Sequence, residues 1–367
     1  MRLHRPTAHR PTIVIVLCVL LTACGDSSSS RPAGTFERPS APATVTPAPA
    51  SAAPPASASI APASPVAEPE YELVEYPVTA GSHPHDVAPA ADGGVWYTGQ
   101  RNGTLGHLDP ATGTVREIDL GPGSAPHGVI VGPDGAPWIT DGGLNAIVRV
   151  DPATEAVDVF PLPASHPNAN LNTAAFDATG VLWFTGQAGV YGRLDPDEGA
   201  VEAFDAPRGR GPYGIASTPE GDVWYASLAG HHVARVDPAS REASIVEPPT
   251  AGQGARRVWS DSSGRLWVAE WDAGQVAMHD PASGEWLEWP LPGDDPQAYA
   301  VYVDDLDIVW LTDFGANAIV RFDPATEAFT SFELPSAGAA VRQLLGRPGE
   351  LWGAESAVDK LVVIRTR

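Results

Sequence analysis

The chain has almost no lysine: Lys360 is the single one among 22 basic residues, a usage typical of GC-rich genomes and uninformative about function. Positive charge is scarce altogether. Against 45 Asp and Glu the formal net charge is −23, which excludes the broad cationic face that nucleic acid or an anionic membrane surface would require. Cysteine is equally scarce. Cys18 lies inside an apolar N-terminal run and Cys24 just beyond it, so the rest of the chain has no thiol with which to build an internal disulfide. Long apolar runs are missing too, since the run from Thr12 to Leu21 is too short to span a bilayer. Helical periodicity is nearly absent.

What is present divides into three parts. Residues 1–23 have basic residues followed by a short apolar stretch, the layout of a signal peptide. The stretch ends in Leu21-Thr22-Ala23-Cys24, which resembles a bacterial lipobox, so Cys24 is the expected lipidation site. Acyl chains gain about 0.8 kcal/mol per buried methylene, so two or more make a durable anchor. Residues 24–70 are mainly Ser, Ala and Pro, too poor in apolar groups to offset their ordering entropy, and should form an extended tether. These features predict an extracytoplasmic protein of the bacterial envelope, held to the membrane only by lipid.

The third part, residues 71–367, is a repeat. Trp recurs at 96, 138, 183, 224, 267, 310 and 352, and an Asp-Pro pair follows each of the first six. The period is near 42 residues, with several short β runs separated by turn signals such as Pro133-Asp134-Gly135 and Asp151-Pro152-Ala153-Thr154. That pattern predicts an all-β, seven-bladed propeller of four-stranded blades. Six repeats carry a complete set of strands, whereas the seventh stops at Leu361-Val362-Val363-Ile364. Tyr71-Glu72-Leu73-Val74-Glu75-Tyr76-Pro77 reads as a fourth strand with no blade before it. The N-terminal strand should therefore complete the last blade and remove the exposed sheet edge. One Trp per blade at a fixed place indicates packing between blades. Nothing in the sequence calls for an oligomer, and a monomer is expected.

Counting outward from the first turn of each repeat pairs His127 with Asp141, His85 with Gly99, Asn172 with Gly186 and Tyr213 with Ser227. The same count pairs Arg256 with Glu270, Tyr299 with Asp313 and Val341 with Glu355. These positions differ from blade to blade while the core stays apolar. They are expected to ring one mouth of the channel as a single asymmetric site for a small molecule or cyclic peptide. Its candidate ligand-binding residues are Asn172, Tyr213, Arg256, Glu270, Tyr299 and Asp313, with Arg256 and Glu270 expected to form an ion pair. His231-His232, at the start of a third strand, reads as solvated.

Pro126-His127-Gly128-Val129, then Pro133-Asp134-Gly135 with Trp138-Ile139-Thr140, then Asn145-Ala146-Ile147-Val148-Arg149 resemble the repeats of virginiamycin B lyase and its streptogramin lyase relatives. The likeness runs from Tyr71 to about Ile364. It implies a carbon-oxygen lyase that opens a cyclic depsipeptide by elimination, with a His as base and carboxylates placing a Mg²⁺ that polarises the carbonyl. Carried onto this chain, His127 is the base, His85 the His of the preceding blade and Asp141 a metal-ligating carboxylate. The carboxylate that the family has two residues before the base is Ala125 here, and the matching late-blade positions hold Arg256, Gln297, Tyr299 and Asp313. Either the site has moved around the ring or the lyase chemistry is lost. The alternative is a propeller that binds a ligand or protein at the cell surface without turnover. A hydrolytic lactonase is weakened because the comparable fold has six blades.

Overall fold

The computed structural model describes residues 69–367. The leader, Cys24 and the tether up to residue 68 lie outside the described residues. From Tyr71 onward the described chain contains 28 strands in seven separate four-stranded antiparallel sheets. Six sheets are simple meanders, here called blades one to six, covering residues 84–119, 126–161, 171–205, 212–246, 255–290 and 298–333. The seventh combines residues 341–366 with the N-terminal strand Tyr71–Pro77, which pairs antiparallel with Lys360–Thr366 from Tyr71↔Thr366 to Pro77↔Lys360. The ring thus closes as expected, through its first and last strands. First strands of neighbouring blades pack side by side, including those of blades one and seven.

Short-range chemistry explains why every repeat folds alike. In the outer turns an Asp carboxylate accepts the amide two residues on, and in blades two and four also the one three residues on, as Asp151 does from Ala153 (2.9 Å) and Thr154 (2.8 Å). In the inner turns of blades two, three, five, six and seven an acidic side chain reaches the indole of the repeat Trp. Asp134 accepts Trp138 Nε1 at 3.1 Å, Asp177 accepts Trp183 at 2.7 Å, Asp261 accepts Trp267 at 3.0 Å and Asp304 accepts Trp310 at 2.8 Å. All seven repeat Trp are buried. Each indole spans the packing between sheets, and truncation of such a side chain costs about 3–5 kcal/mol.

The inner hairpins depart from the simple count in one respect. Pro126, not His127, stands opposite Asp141, and Pro84 opposite Gly99, Leu171 opposite Gly186, Pro212 opposite Ser227, Ala255 opposite Glu270 and Ala298 opposite Asp313. Each hairpin has an irregularity just after that pair. The added residue of a β-bulge re-aims the chain and turns side chains out of the ladder. Only Val341↔Glu355 matches the sequence count, and its hairpin is irregular as well.

Candidate functional site

The bulges put a second residue from each first strand toward the axis. In ring order these are His85, His127, Asn172, Tyr213, Arg256, Tyr299 and, in blade seven, Arg342. The next residue inward is Asp86, Gly128, Thr173, Gly214, Arg257, Ala300 or Gln343, and these line the narrow channel below. The bulges are held in part by threonines two residues after the repeat Trp. Thr98 Oγ1 accepts the amide of Asp86 at 3.0 Å, and Thr140 Oγ1 accepts the amide of Gly128 at 2.9 Å while donating to the carbonyl of Asn172 in the next blade at 2.5 Å.

Blades one and two bring His85, Asp86 and His127 together, with one donor or acceptor atom of each lying within 4.8 Å of the others. The imidazole rings of His85 and His127 are 3.7 Å apart between centres, tilted by 42°. His85 Nδ1 is 2.8 Å from Asp86 Oδ1, so it donates to that carboxylate. Asp86 also takes a two-point ion pair from Arg257 of blade five, at 3.0 Å and 3.4 Å across the channel. Burial pushes the Asp86 carboxyl up and the Arg257 guanidinium opposes it. Burial, and then the positive charge of Arg257, holds His85 well below the ordinary histidine value. Burial and the neighbouring His85 do the same for His127. Both rings are therefore neutral near pH 7. His127 Nε2 lies 3.2 Å from Asn172 Nδ2, which leaves His127 Nδ1 and Asn172 Oδ1 buried without partners.

The opposite arc of the mouth is aromatic and cationic. Tyr213 and Tyr299 join hydroxyls at 2.6 Å. The Arg256 guanidinium lies over the Tyr299 ring, 3.6 Å from its centre, and donates to the Tyr213 hydroxyl at 2.9 Å. The expected Arg256–Glu270 ion pair does not form, because Arg256 is held among aromatic faces, while Glu270 is buried and takes its hydrogen bond from Gln275 at 2.6 Å. Burial raises Glu270 to about 8.

The outer ring of carboxylates faces the loops. Asp141 Oδ1 accepts the amides of Ala125, Gly143 and Leu144 at 2.9–3.0 Å, and Oδ2 accepts Ser124 Oγ at 2.5 Å. Asp313 likewise takes the amides of Gln297, Gly315 and Ala316. These groups anchor their loops and are not in the His85–Asp86–His127 cluster. His232, expected to be solvated, is buried and bonded to the Gly230 carbonyl at 2.9 Å. Sequence reasoning missed Asp86, Arg257 and Arg342. The signals were Pro84-His85-Asp86 where blade two has Pro126-His127-Gly128, and an Arg256-Arg257 pair opening an otherwise apolar strand.

The profile of the virginiamycin B lyase family matches residues 40–283. The chain belongs to the virginiamycin B lyase family. Among solved structures it is similar to virginiamycin B lyase from Staphylococcus aureus, at 20% identity and a TM-score of 0.75 over 81% of this chain and 100% of that one. It is also similar to a streptogramin B lyase, at 22% identity and 0.74 over 81% and 98%. A third is YCF48 bound to D1 peptide, at 17% and 0.63 over 81% and 96%. At these identities the likeness concerns the fold. No curated protein matches the chain significantly.

The Mg²⁺ that family resemblance implies does not fit these residues. Mg²⁺ demands a near-octahedral set of oxygens. Position 125 is Ala, and the Asp141 carboxylate is already filled by four donors. Asp86, the one carboxylate grouped with the histidines among the described residues, is paired with Arg257.

Proposed function

We propose that this propeller is a lipid-anchored, extracytoplasmic lyase of the streptogramin type, opening a cyclic depsipeptide or related ester by elimination, with His127 as base. The carrying observation is the close, tilted pair of neutral imidazoles, His85 and His127, on adjacent blades at the mouth. A neutral imidazole can take a proton from carbon without first losing its own. For His127 to accept at Nδ1, its Nε2 must carry hydrogen. Asn172 would then face it with Oδ1, which a half-turn of the amide brings about and which also satisfies that unpartnered oxygen. The α-proton passes to His127, its bonding pair forms the carbon–carbon double bond, and the C–O bond breaks with its electrons leaving on a carboxylate. Tyr213, edge-on to His127 with ring centres 6.0 Å apart, is a neighbouring donor for the charge that develops. His85, fixed by Asp86, positions the His127 ring.

A second reading, a propeller that binds a ligand or peptide without turnover, is favoured by the Asp86–Arg257 ion pair, which, among the described residues, occupies the one carboxylate grouped with the histidines. One relative of similar fold is described as bound to a peptide. In either reading the chain acts as a monomer at the cell envelope, and loss of acyl incorporation in Cys24→Ala would support the anchor. Cyclic depsipeptides incubated with the full chain, with products weighed by mass spectrometry, separate the two. A linear product of unchanged mass that disappears in His127→Ala supports the lyase, a gain of one water indicates hydrolysis, and absence of turnover with retained binding supports the module.

A further inference from the structure

In a chain with 45 acidic residues and 22 Lys and Arg, arginines readily find carboxylates. Arg149 pairs with Asp134, Arg193 with Glu202, Arg257 with Asp86 and Arg347 with Glu350. Arg256 and Arg342 behave differently. Among the described residues neither forms an ion pair, although both stand at the propeller mouth. Arg256 donates to the Tyr213 hydroxyl, and its Nε is buried without a partner. Arg342 donates through Nη1 to the Tyr299 hydroxyl at 3.2 Å and through Nε to Ser356 at 2.6 Å.

Counting hydrogens shows what this cluster needs. Each tyrosine oxygen already accepts from an arginine, and the two hydroxyls share one contact at 2.6 Å. Only one phenol can donate in that contact. The other is left with a hydrogen and no acceptor. With the unpartnered Arg256 Nε, the cluster is a group of donors short of an acceptor, and its two guanidinium charges lack a counter-ion. A planar carboxylate meets both needs, since guanidinium donors match its two oxygens.

The wall beside this cluster is apolar on one side only. The residues following the outer ring are Leu228, Trp271 and Phe314 in blades four to six, against Gln100, Gly142 and Gln187 in blades one to three. Phe314 stacks on Tyr299 with ring centres 4.6 Å apart at 9°, and Trp271 meets both edge-on. All three apolar residues are half-buried, so each keeps surface for a ligand.

We infer that Arg256 and Arg342 form a carboxylate site, and that the ligand joins its carboxylate to an apolar or aromatic group lying on Leu228, Trp271 and Phe314. The inference rests on the mouth being the ligand site and does not require turnover. It agrees with elimination from an ester, which releases a carboxylate.

The test is calorimetric titration of the full chain with 3-phenylpropanoate, with its neutral amide, and with inorganic phosphate. The acid should bind about tenfold more tightly than the amide or more, the value of one lost charged contact, and more tightly than phosphate. Arg342→Gln and Arg256→Met should each lose about that factor. Arg342 is half-buried, so an unchanged thermal midpoint in Arg342→Gln separates lost recognition from misfolding. His127→Ala should keep the affinity for the acid. If it loses turnover yet binds the acid, both readings survive, and if the wild-type chain binds the acid without any turnover, only the lyase reading falls. No binding at millimolar concentration overturns the carboxylate site, as does equal binding of acid and amide, tighter binding of phosphate, or unchanged affinity in Arg342→Gln.

Discussion

The Thr98 hydroxyl donates to the main-chain carbonyl of His127 across the boundary between blades one and two, at 2.8 Å. It accepts the Asp86 amide from its own blade, so one oxygen ties both histidine-bearing bulges. Thr98→Val would leave a buried amide and a buried carbonyl unpaired, each costing about 1–3 kcal/mol. Denaturant unfolding should show a loss of that size, and Thr98→Ser should recover most of it. A neutral effect of Val would mean that the hydroxyl holds nothing.

The ion pair across the channel makes a sharper demand. Arg257→Met strands the Asp86 carboxylate in a buried setting, where breaking a pair typically costs about 3–5 kcal/mol. Asp86→Asn combined with Arg257→Met should cost distinctly less, because no charge is then left uncompensated. The double-mutant cycle by chemical denaturation measures the coupling.

Stability should fall on the alkaline side. Burial, with the adjacent Glu75 charge, raises Glu355 to about 8, and burial raises Glu270 to about 8. Both stand far above the ordinary carboxylate value, so the protonated forms stabilise the fold fully below about pH 4.5. That contribution is lost as pH rises toward 8. Glu355→Gln and Glu270→Gln should flatten the decline in thermal midpoint between pH 5 and pH 8.5, and a wild-type midpoint that climbs over this range would contradict the assignment.

If His127 is the base, elimination should persist below pH 6.5. The base works unprotonated, and its pKa is held well below the ordinary histidine value, so the acid limb of the kcat/KM profile should lie below that of a solvated imidazole. A limb centred at or above pH 6.5 would remove His127 from the role.

Mg²⁺ should be indifferent. With Asp141 committed to its loop and Asp86 to Arg257, added Mg²⁺ should give no binding heat and no shift in thermal midpoint, and chelator should change neither. A saturable heat that vanishes in Asp86→Asn would reverse this.

The ring was readable because the Trp and the Asp-Pro turn repeat, and because an unmatched strand at the start answers a last blade that is one strand short. The site was readable only in part. His85 and His127 stood out as polar residues at positions that change from blade to blade while the core stays apolar, but a bulge leaves no mark on the alternation that sets register, so the pairing is one residue off. Arg257 reaches Asp86 from 171 positions away, a distance at which no local spacing rule applies. Arg256 was assigned the wrong partner because hairpin proximity suggested Glu270, whereas the tyrosines come from neighbouring blades.

The junction of Tyr71–Pro77 with Lys360–Thr366 imposes an order on assembly. During synthesis blades one to six can each complete their own sheet as they emerge, but the earliest strand must wait, unpaired, until the final one appears. Its hydrogen-bonding edge is open for nearly the whole of elongation. A permuted chain that begins at residue 84 and carries residues 69–83 after its present end would make that pairing local and should refold faster.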